Sequence, residues 1–205
     1  MTCRFDRLLA AAYKTGDFIL ASGEKSREYI DVKSMILSPR VGQRIVVELA
    51  SLISSTVGIR QGILLAGVPE AGSLLAWGTM AAIKDRYQLD TPCLLVRRES
   101  KEHGLRRLIE GLDNIPLARR NKKWPVVILE DVITTGGSII ETTRTIARSD
   151  CLVPKCVFAV VDREQGGMDN IVKETGIPVR TLTTISRIRA AKLAAPPEKA
   201  HATQC

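Results

Sequence analysis

A chain of 205 residues with 45% hydrophobic and 25% charged residues is long enough to bury one core and ordinary in its usage, which excludes a mostly disordered, collagen-like or coiled-coil chain. No apolar run approaches the roughly 18 residues a spanning helix needs, so no membrane segment is expected. Thirty Lys and Arg against 22 Asp and Glu give +8, and with aromatics at only 4% this charge suits a small polyphosphate better than stacking on nucleic acid.

The first residues, Met1 to Arg7, lack a basic start followed by a long apolar stretch, so no secretory signal is read and a cytoplasmic setting is expected. The five cysteines, Cys3, Cys93, Cys151, Cys156 and Cys205, are odd in number and form no CxxC, so neither a disulfide framework nor a zinc site is expected. Residues 1–37 read as a front unit. A short helix over 5–13 leads into an apolar 18–20, a Ser22-Gly23 turn and a second extended stretch over 29–32, a hairpin-like hood. Residues 38–191 read as the core, forming a single domain with the hood. Four short apolar runs, 63–68, 93–96, 126–129 and 156–161, are expected to be strands buried on both faces. Helical spacing over 41–57, 71–83 and 138–148 places helices between or before them. Strands alternating with helices make the fold class α/β, with a mainly parallel central sheet flanked by helices. Residues 192–205, rich in Ala and Pro, are expected to be a disordered tail.

The most informative segment is VVILEDVITTGGS. A buried strand ends in Glu130 and Asp131, passes through Val132, Ile133, Thr134, Thr135, Gly136 and Gly137, and opens a helix near Ser138. Ligands of open α/β sheets bind outside the carboxyl ends of strands. Glycines let the backbone approach, hydroxyls add donors, and a helix start favours an anion, so the loop suits a phosphate. The two acids suit vicinal sugar hydroxyls or a divalent cation, and together these features suggest a ribose phosphate. Neither GxxxxGK[ST] nor GxGxxG is present. An ordinary strand–turn–helix with Ser138 as its cap is the bland reading.

Three further segments follow strands and so reach the same sheet edge. RRESKEHG carries Arg97, Arg98, Lys101 and His103 and could close over a polyphosphate; a solvated charged loop is the plain alternative. Adjacent strand residues point to opposite faces, so only one of Arg97 and Arg98 is expected to face a given ligand unless the strand has ended before them. VDREQGG places Arg163 to meet an anionic group, or is a charged turn, and GVPEAG could cradle a second phosphate or be a simple tight turn.

Together these segments resemble the type I phosphoribosyltransferases, and most closely the orotate phosphoribosyltransferases, over about residues 5–185. EDVITTGGS resembles that family's signature for 5-phosphoribosyl 1-diphosphate (PRPP), RRESKEHG its catalytic loop, VDREQGG the segment that gives an arginine to the orotate carboxylate, and FILASGEKS with YID its hood. The resemblance implies transfer of ribose 5-phosphate from PRPP to orotate, giving orotidine 5′-monophosphate and diphosphate in pyrimidine biosynthesis, with Mg²⁺. It implies Lys101, His103 and Asp131 as catalytic. It assigns PRPP to Arg97, Arg98, Lys101, His103 and residues 130–138, and orotate to Thr134, Arg163, Tyr29 and Ile30. No direct metal ligand is implied; Mg²⁺ would arrive with PRPP, Glu130 and Asp131 being the carboxylates within its reach. A homodimer sharing loop residues across its interface is implied, without nucleic acid or membrane partners. Three departures stand out: Ala21 and Ala71 where members of the family carry lysine, and Glu130 where many carry Asp. A phosphoribosyltransferase for another base and a PRPP-sensing regulator are the alternative readings.

Overall fold

The computed structural model describes residues 4–19, 25–98, 108–115 and 123–194. After a short helix α1 (Arg4–Leu9) and a 3₁₀ turn (Ala10–Ala12), strands β1 (Tyr13–Ile19) and β2 (Lys25–Ile30) form an antiparallel hairpin. Helices α2 (Val32–Leu37) and α3 (Pro39–Val57) lead to the main sheet. Its strands are β3 (Leu64–Gly67), β4 (Cys93–Val96), β5 (Ile109–Glu110), β6 (Trp124–Ile133), β7 (Leu152–Asp162) and β8 (Val179–Thr184). Helices α4 (Ala71–Tyr87), α5 (Gly137–Ala147), α6 (Gly167–Thr175) and α7 (Ile185–Leu193) complete the chain. The sheet runs β5-β4-β3-β6-β7-β8, with every pairing parallel except β4 with β5.

Both faces of this sheet are covered, as the near-continuous apolar runs require. Leu65, Val127, Leu129, Phe158 and Val160 pack on one face against Ile45, Leu49 and Ile53 of α3, Leu75 and Ile83 of α4 and Ile188 of α7. Their strand neighbours Leu64, Ala66, Val126, Ile128, Val157 and Ala159 pack on the other against Ile139, Ile140 and Ile146 of α5 and Ile171 of α6. The alternation is the two-residue period of a strand, and both halves of it are apolar. α3 starts with Pro39 in its first turn and stops at Gly58 in a left-handed conformation, the two ends where these residues cost least.

The expected α/β class is present; the run 93–96 appears with the expected ends, and the other three apolar runs and the three core helices appear with shifted ends. Three local expectations change. The first helix is shorter than 5–13, because Tyr13 is extended and its hydroxyl donates to Glu28 across the hairpin (2.6 Å). Val32 does not extend the second hood strand. Asp31 accepts from Ser34 N–H and caps α2, so the chain turns helical there. Residues 192 and 193 close α7 rather than opening the tail. β5, β8, α2, α6 and α7 were not expected. β8, with the sequence VRTLTT, is a half-exposed edge strand and lacks the apolar run that marks its neighbours.

Chain order fixes where the sheet opens. From β3 the chain crosses to β4 on one side and later to β6 on the other, so the crossovers diverge between β3 and β6. That is the switch point of an open α/β sheet, where a crevice forms at the carboxyl ends. The hood sits over this end. Arg189 of α7 pairs with Glu28 of β2 (2.6 Å), and Asp31 N–H donates to the Ala12 carbonyl (2.9 Å).

Candidate active site

A cleft of about 350 Å³ lies at the switch point. Its walls come from the hood (Tyr29, Ile30, Lys33), the β3–α4 turn (Val68, Pro69, Glu70, Ala71), Arg98 after β4, the end of β6 (Glu130, Asp131, Val132, Thr134), Ser138 and Arg163. A second cavity of about 200 Å³ adjoins it, lined by Glu130, Val132, Ile133, Thr134, Thr135, Gly136, Gly137, Ser138 and Ile139. Glu130, Val132, Thr134 and Ser138 line both, so the loop cavity and the cleft are neighbours that share a wall.

The acidic pair is reachable because of strand register. β3 ends at Gly67, opposite Leu129, whereas β6 runs on to Ile133 paired only with β7. Glu130 and Asp131 therefore occupy strand positions whose β3 neighbour has ended, and the strand runs on past them to Ile133 rather than ending in them as expected. Each acid turns one oxygen back to the backbone. Glu130 Oε1 accepts from Asp131 N–H and Asp131 Oδ1 from Val132 N–H, both at 2.9 Å. This fixes both carboxyl groups.

Burial and the neighbouring Asp131 carboxylate hold the pKa of Glu130 well above its ordinary 4.5. The folded chain thus binds this proton more tightly than the unfolded chain. Stability from this group is full below the unfolded value and falls as pH rises toward the folded one. Glu130→Gln keeps the acceptor and removes the charge. In urea unfolding from pH 4.5 to 8, its stability relative to wild type is expected to improve steadily with pH; a pH-independent difference would count against a buried, raised carboxyl.

The loop beyond is built for an anion. Gly136 has φ 84° and caps α5, and a Cβ there would lie 2.6 Å from Ile171 Cγ1. α6 braces the loop from behind, with Asn170 Nδ2 donating to the Thr135 carbonyl (2.8 Å). The first N–H groups of a helix have no partners within it, and the first residues of α5 line the small cavity, where a phosphate could satisfy them. The β3–α4 turn is equally tight: a Cβ on Gly67 would lie 2.0 Å from the Gly72 carbonyl carbon.

Arg163 is a buried cation. It is 7% exposed, its backbone N–H donates to the Ile133 carbonyl (2.9 Å), and its Nη2 makes long bonds to Ser26 Oγ (3.3 Å) and the Glu28 carbonyl (3.4 Å). Its Nε has no hydrogen-bond partner and no carboxylate lies within ion-pairing distance among the described residues. Glu164 next to it has φ 58° and its carboxylate accepts from the Ser186 hydroxyl and N–H, which ties the turn to the start of α7. A buried, underused guanidinium is a receptor for an anionic group.

The two arginines both follow the end of β4 at Val96, and their surroundings differ. Arg98 lines the cleft, Arg97 is held by Glu110 of β5 (2.6 and 2.8 Å), and both line a small side crevice beside Ser138. Lys101, His103 and Ala21 lie outside the described residues. Tyr29, Ile30, Thr134 and Arg163 share the cleft's hood end. Two wall residues were missed, Lys33 and Glu70. Asp31-x-x-Ser34 is a helix-cap pattern, and reading it would have turned Lys33 away from a strand and toward the cleft.

No protein-family model matches the chain. It is 32% identical to the orotate phosphoribosyltransferase of Thermoplasma acidophilum over 184 residues, 90% of this chain and 94% of the relative. It is 36% identical to that of Pyrococcus abyssi, covering 84% and 86%. The crystal structure of orotate phosphoribosyltransferase from Aeropyrum pernix superposes with a TM-score of 0.68 at 22% identity, covering 91% and 97%, a likeness of fold. With this cleft, this loop and relatives matched along nearly their whole length, the chain belongs to the orotate phosphoribosyltransferase family.

Proposed function

We propose that the protein transfers ribose 5-phosphate from PRPP to orotate, releasing diphosphate and giving orotidine 5′-monophosphate. One observation carries the reading: two adjoining cavities at the carboxyl end of the sheet bring together an anion cradle, two carboxyl groups and the buried Arg163. The cradle over residues 132–138 binds the 5-phosphate, and Asp131 with Glu130 accepts hydrogen bonds from the ribose hydroxyls. Arg163 takes the orotate carboxylate beneath Tyr29 and Ile30. The bond from the anomeric carbon to diphosphate breaks, its electron pair leaving with diphosphate. A ring nitrogen of orotate bonds to that carbon and gives up its proton. Positive charge builds on the sugar meanwhile, as in glycoside hydrolysis, and the carboxylates stabilise it. Arg98, with Lys101 and His103 from the adjoining loop, meets the departing diphosphate.

Mg²⁺ is part of the proposal. It is ordinarily bound by one or two carboxylates plus substrate phosphates, and Glu130 and Asp131 beside an anion cradle fit that pattern. When bound, the ion neutralises charge on the diphosphate. A cytoplasmic setting belongs to the same proposal, and the free thiols of Cys93, Cys151 and Cys156 suit a reducing compartment. Among the described residues, no helix is long and apolar enough to cross a membrane.

The homodimer is proposed on the exposed face of α4, which starts at the cleft. Leu74 and Trp77 lie one turn apart there, Trp77 66% exposed. Trp77→Glu is expected to shift the protein to monomer in analytical ultracentrifugation. Mixing Lys101→Ala with Asp131→Asn chains is expected to restore activity if loops are shared. A dimer untouched by Trp77→Glu would place the interface elsewhere.

The deciding experiment follows orotate absorbance in the presence of PRPP and Mg²⁺, with uracil, hypoxanthine and adenine run in parallel by diphosphate release. Orotate loss that needs both PRPP and Mg²⁺ is the expected result. Turnover only with another base would keep the site and move the substrate. PRPP binding without turnover would favour a regulator.

A further inference from the structure

Two charged side chains at the mouth of the cleft are used by no step above, and they hold each other. Lys33 Nζ, from the first turn of α2, lies 2.9 Å from Glu70 Oε2, in the turn before α4. They are 37 residues apart in the chain, so the pair bridges the hood and the β3–α4 turn across the cleft they both line. Glu70 has φ 79° and ψ −105°, a costly conformation for a residue with a side chain. It occupies the cap position of α4, where its carboxylate could accept from the helix's own N–H groups, and makes no such bond. It reaches instead for Lys33, and the charge of Arg98 also bears on it. Lys33 in turn feels Asp131. The cations at this end of the cleft are thus turned toward a carboxylate of the chain itself, beside the neutral Ala71. Both partners are more than half exposed, 57% and 64%, so the pair is weak and open to exchange.

We propose that Glu70 is a built-in stand-in for the anionic end of the ligand: it holds Lys33 in the empty cleft and is displaced when a diphosphate group takes Lys33 and Arg98 as its own cations. This rests on reading the cleft as the site of a diphosphate-bearing substrate. It makes Lys33 a ligand contact in the wall where Ala71 carries no charge. It also makes the cleft selective for polyanions. A singly charged ligand gains little over the resident carboxylate, whereas a diphosphate brings several charges to the same cations.

The test is calorimetric titration of inorganic diphosphate into wild type, Glu70→Gln, Lys33→Ala and the double variant, with thermal unfolding to show that each is folded. Glu70→Gln is expected to bind roughly two- to fivefold more tightly, the range of a weak exposed pair. Lys33→Ala is expected to bind about tenfold more weakly, as for a lost charge-assisted contact. In the Lys33→Ala background the gain from Glu70→Gln is expected to vanish. Equal or weaker binding by Glu70→Gln, or unchanged binding by Lys33→Ala, overturns the proposal. So does a gain that persists without Lys33, since it would then reflect general charge. The orotate assay on wild type separates the two readings: this diphosphate pattern without orotate turnover refutes the transferase assignment and leaves the exchange standing.

Discussion

Arg163→Ala is expected to lower kcat/KM for orotate by two orders of magnitude or more while leaving diphosphate binding unchanged. The guanidinium is almost fully covered, and its Nη2 bonds to Ser26 and Glu28 are long. Removing one partner of a buried charged pair costs about 3–5 kcal/mol, and each 1.4 kcal/mol is tenfold. The effect is confined to one substrate because the anion cradle is built from a separate loop, residues 132–138. The check is steady-state kinetics with each substrate varied in turn, beside calorimetry with diphosphate. Equal losses toward both substrates would show that the Arg163 side chain holds the hood in place, through Ser26 and Glu28, rather than binding orotate.

Asp131→Asn is expected to lower turnover about a hundredfold with little change in thermal stability. Asparagine can still accept from the Val132 N–H, so the local turn survives. What is lost is a negative charge beside the sugar as positive charge develops there, together with an acceptor for a hydroxyl. A charge-assisted hydrogen bond contributes about 1.5–3 kcal/mol, and its loss in the transition state appears in kcat. Unchanged turnover would remove the carboxylate from the reaction. A fall in KM alongside kcat would instead point to relief of ground-state strain.

The two substitutions probe parts of the site that differed in legibility. The loop from Glu130 to Ser138 could be read directly. A strand, two acids, small residues and a helix start are contiguous, and their chemistry is local. Arg163 could be named from its place after a strand, yet its burial without a carboxylate partner depends on β2 and α7 folding over it. Arg97 and Arg98 look alike in sequence. The pairing of Leu95 with Glu110 puts Arg97 on β5's acid and leaves Arg98 to the cleft. Lys33 and Glu70 were passed over because each is unremarkable in its own segment; they meet only through the hood docking. β8 escaped for the opposite reason: as an edge strand with polar threonines it carries no apolar run for a pattern to find.

The sequence by itself determined the α/β class, the doubly covered sheet, the anion loop and the kinds of charge that meet the ligand. These rest on periodicity, turn chemistry and residue type, which act within a few positions of one another. The tertiary structure alone decided that β6 outruns β3 by four residues, which leaves the acids lining the cleft, and which of two adjacent arginines Glu110 holds. It alone brought Lys33 onto Glu70. Register and docking are set by long-range pairing that buries apolar faces. A one-residue slip would turn every side chain of a strand to the other face, so these choices belong to the packed core rather than to any single segment.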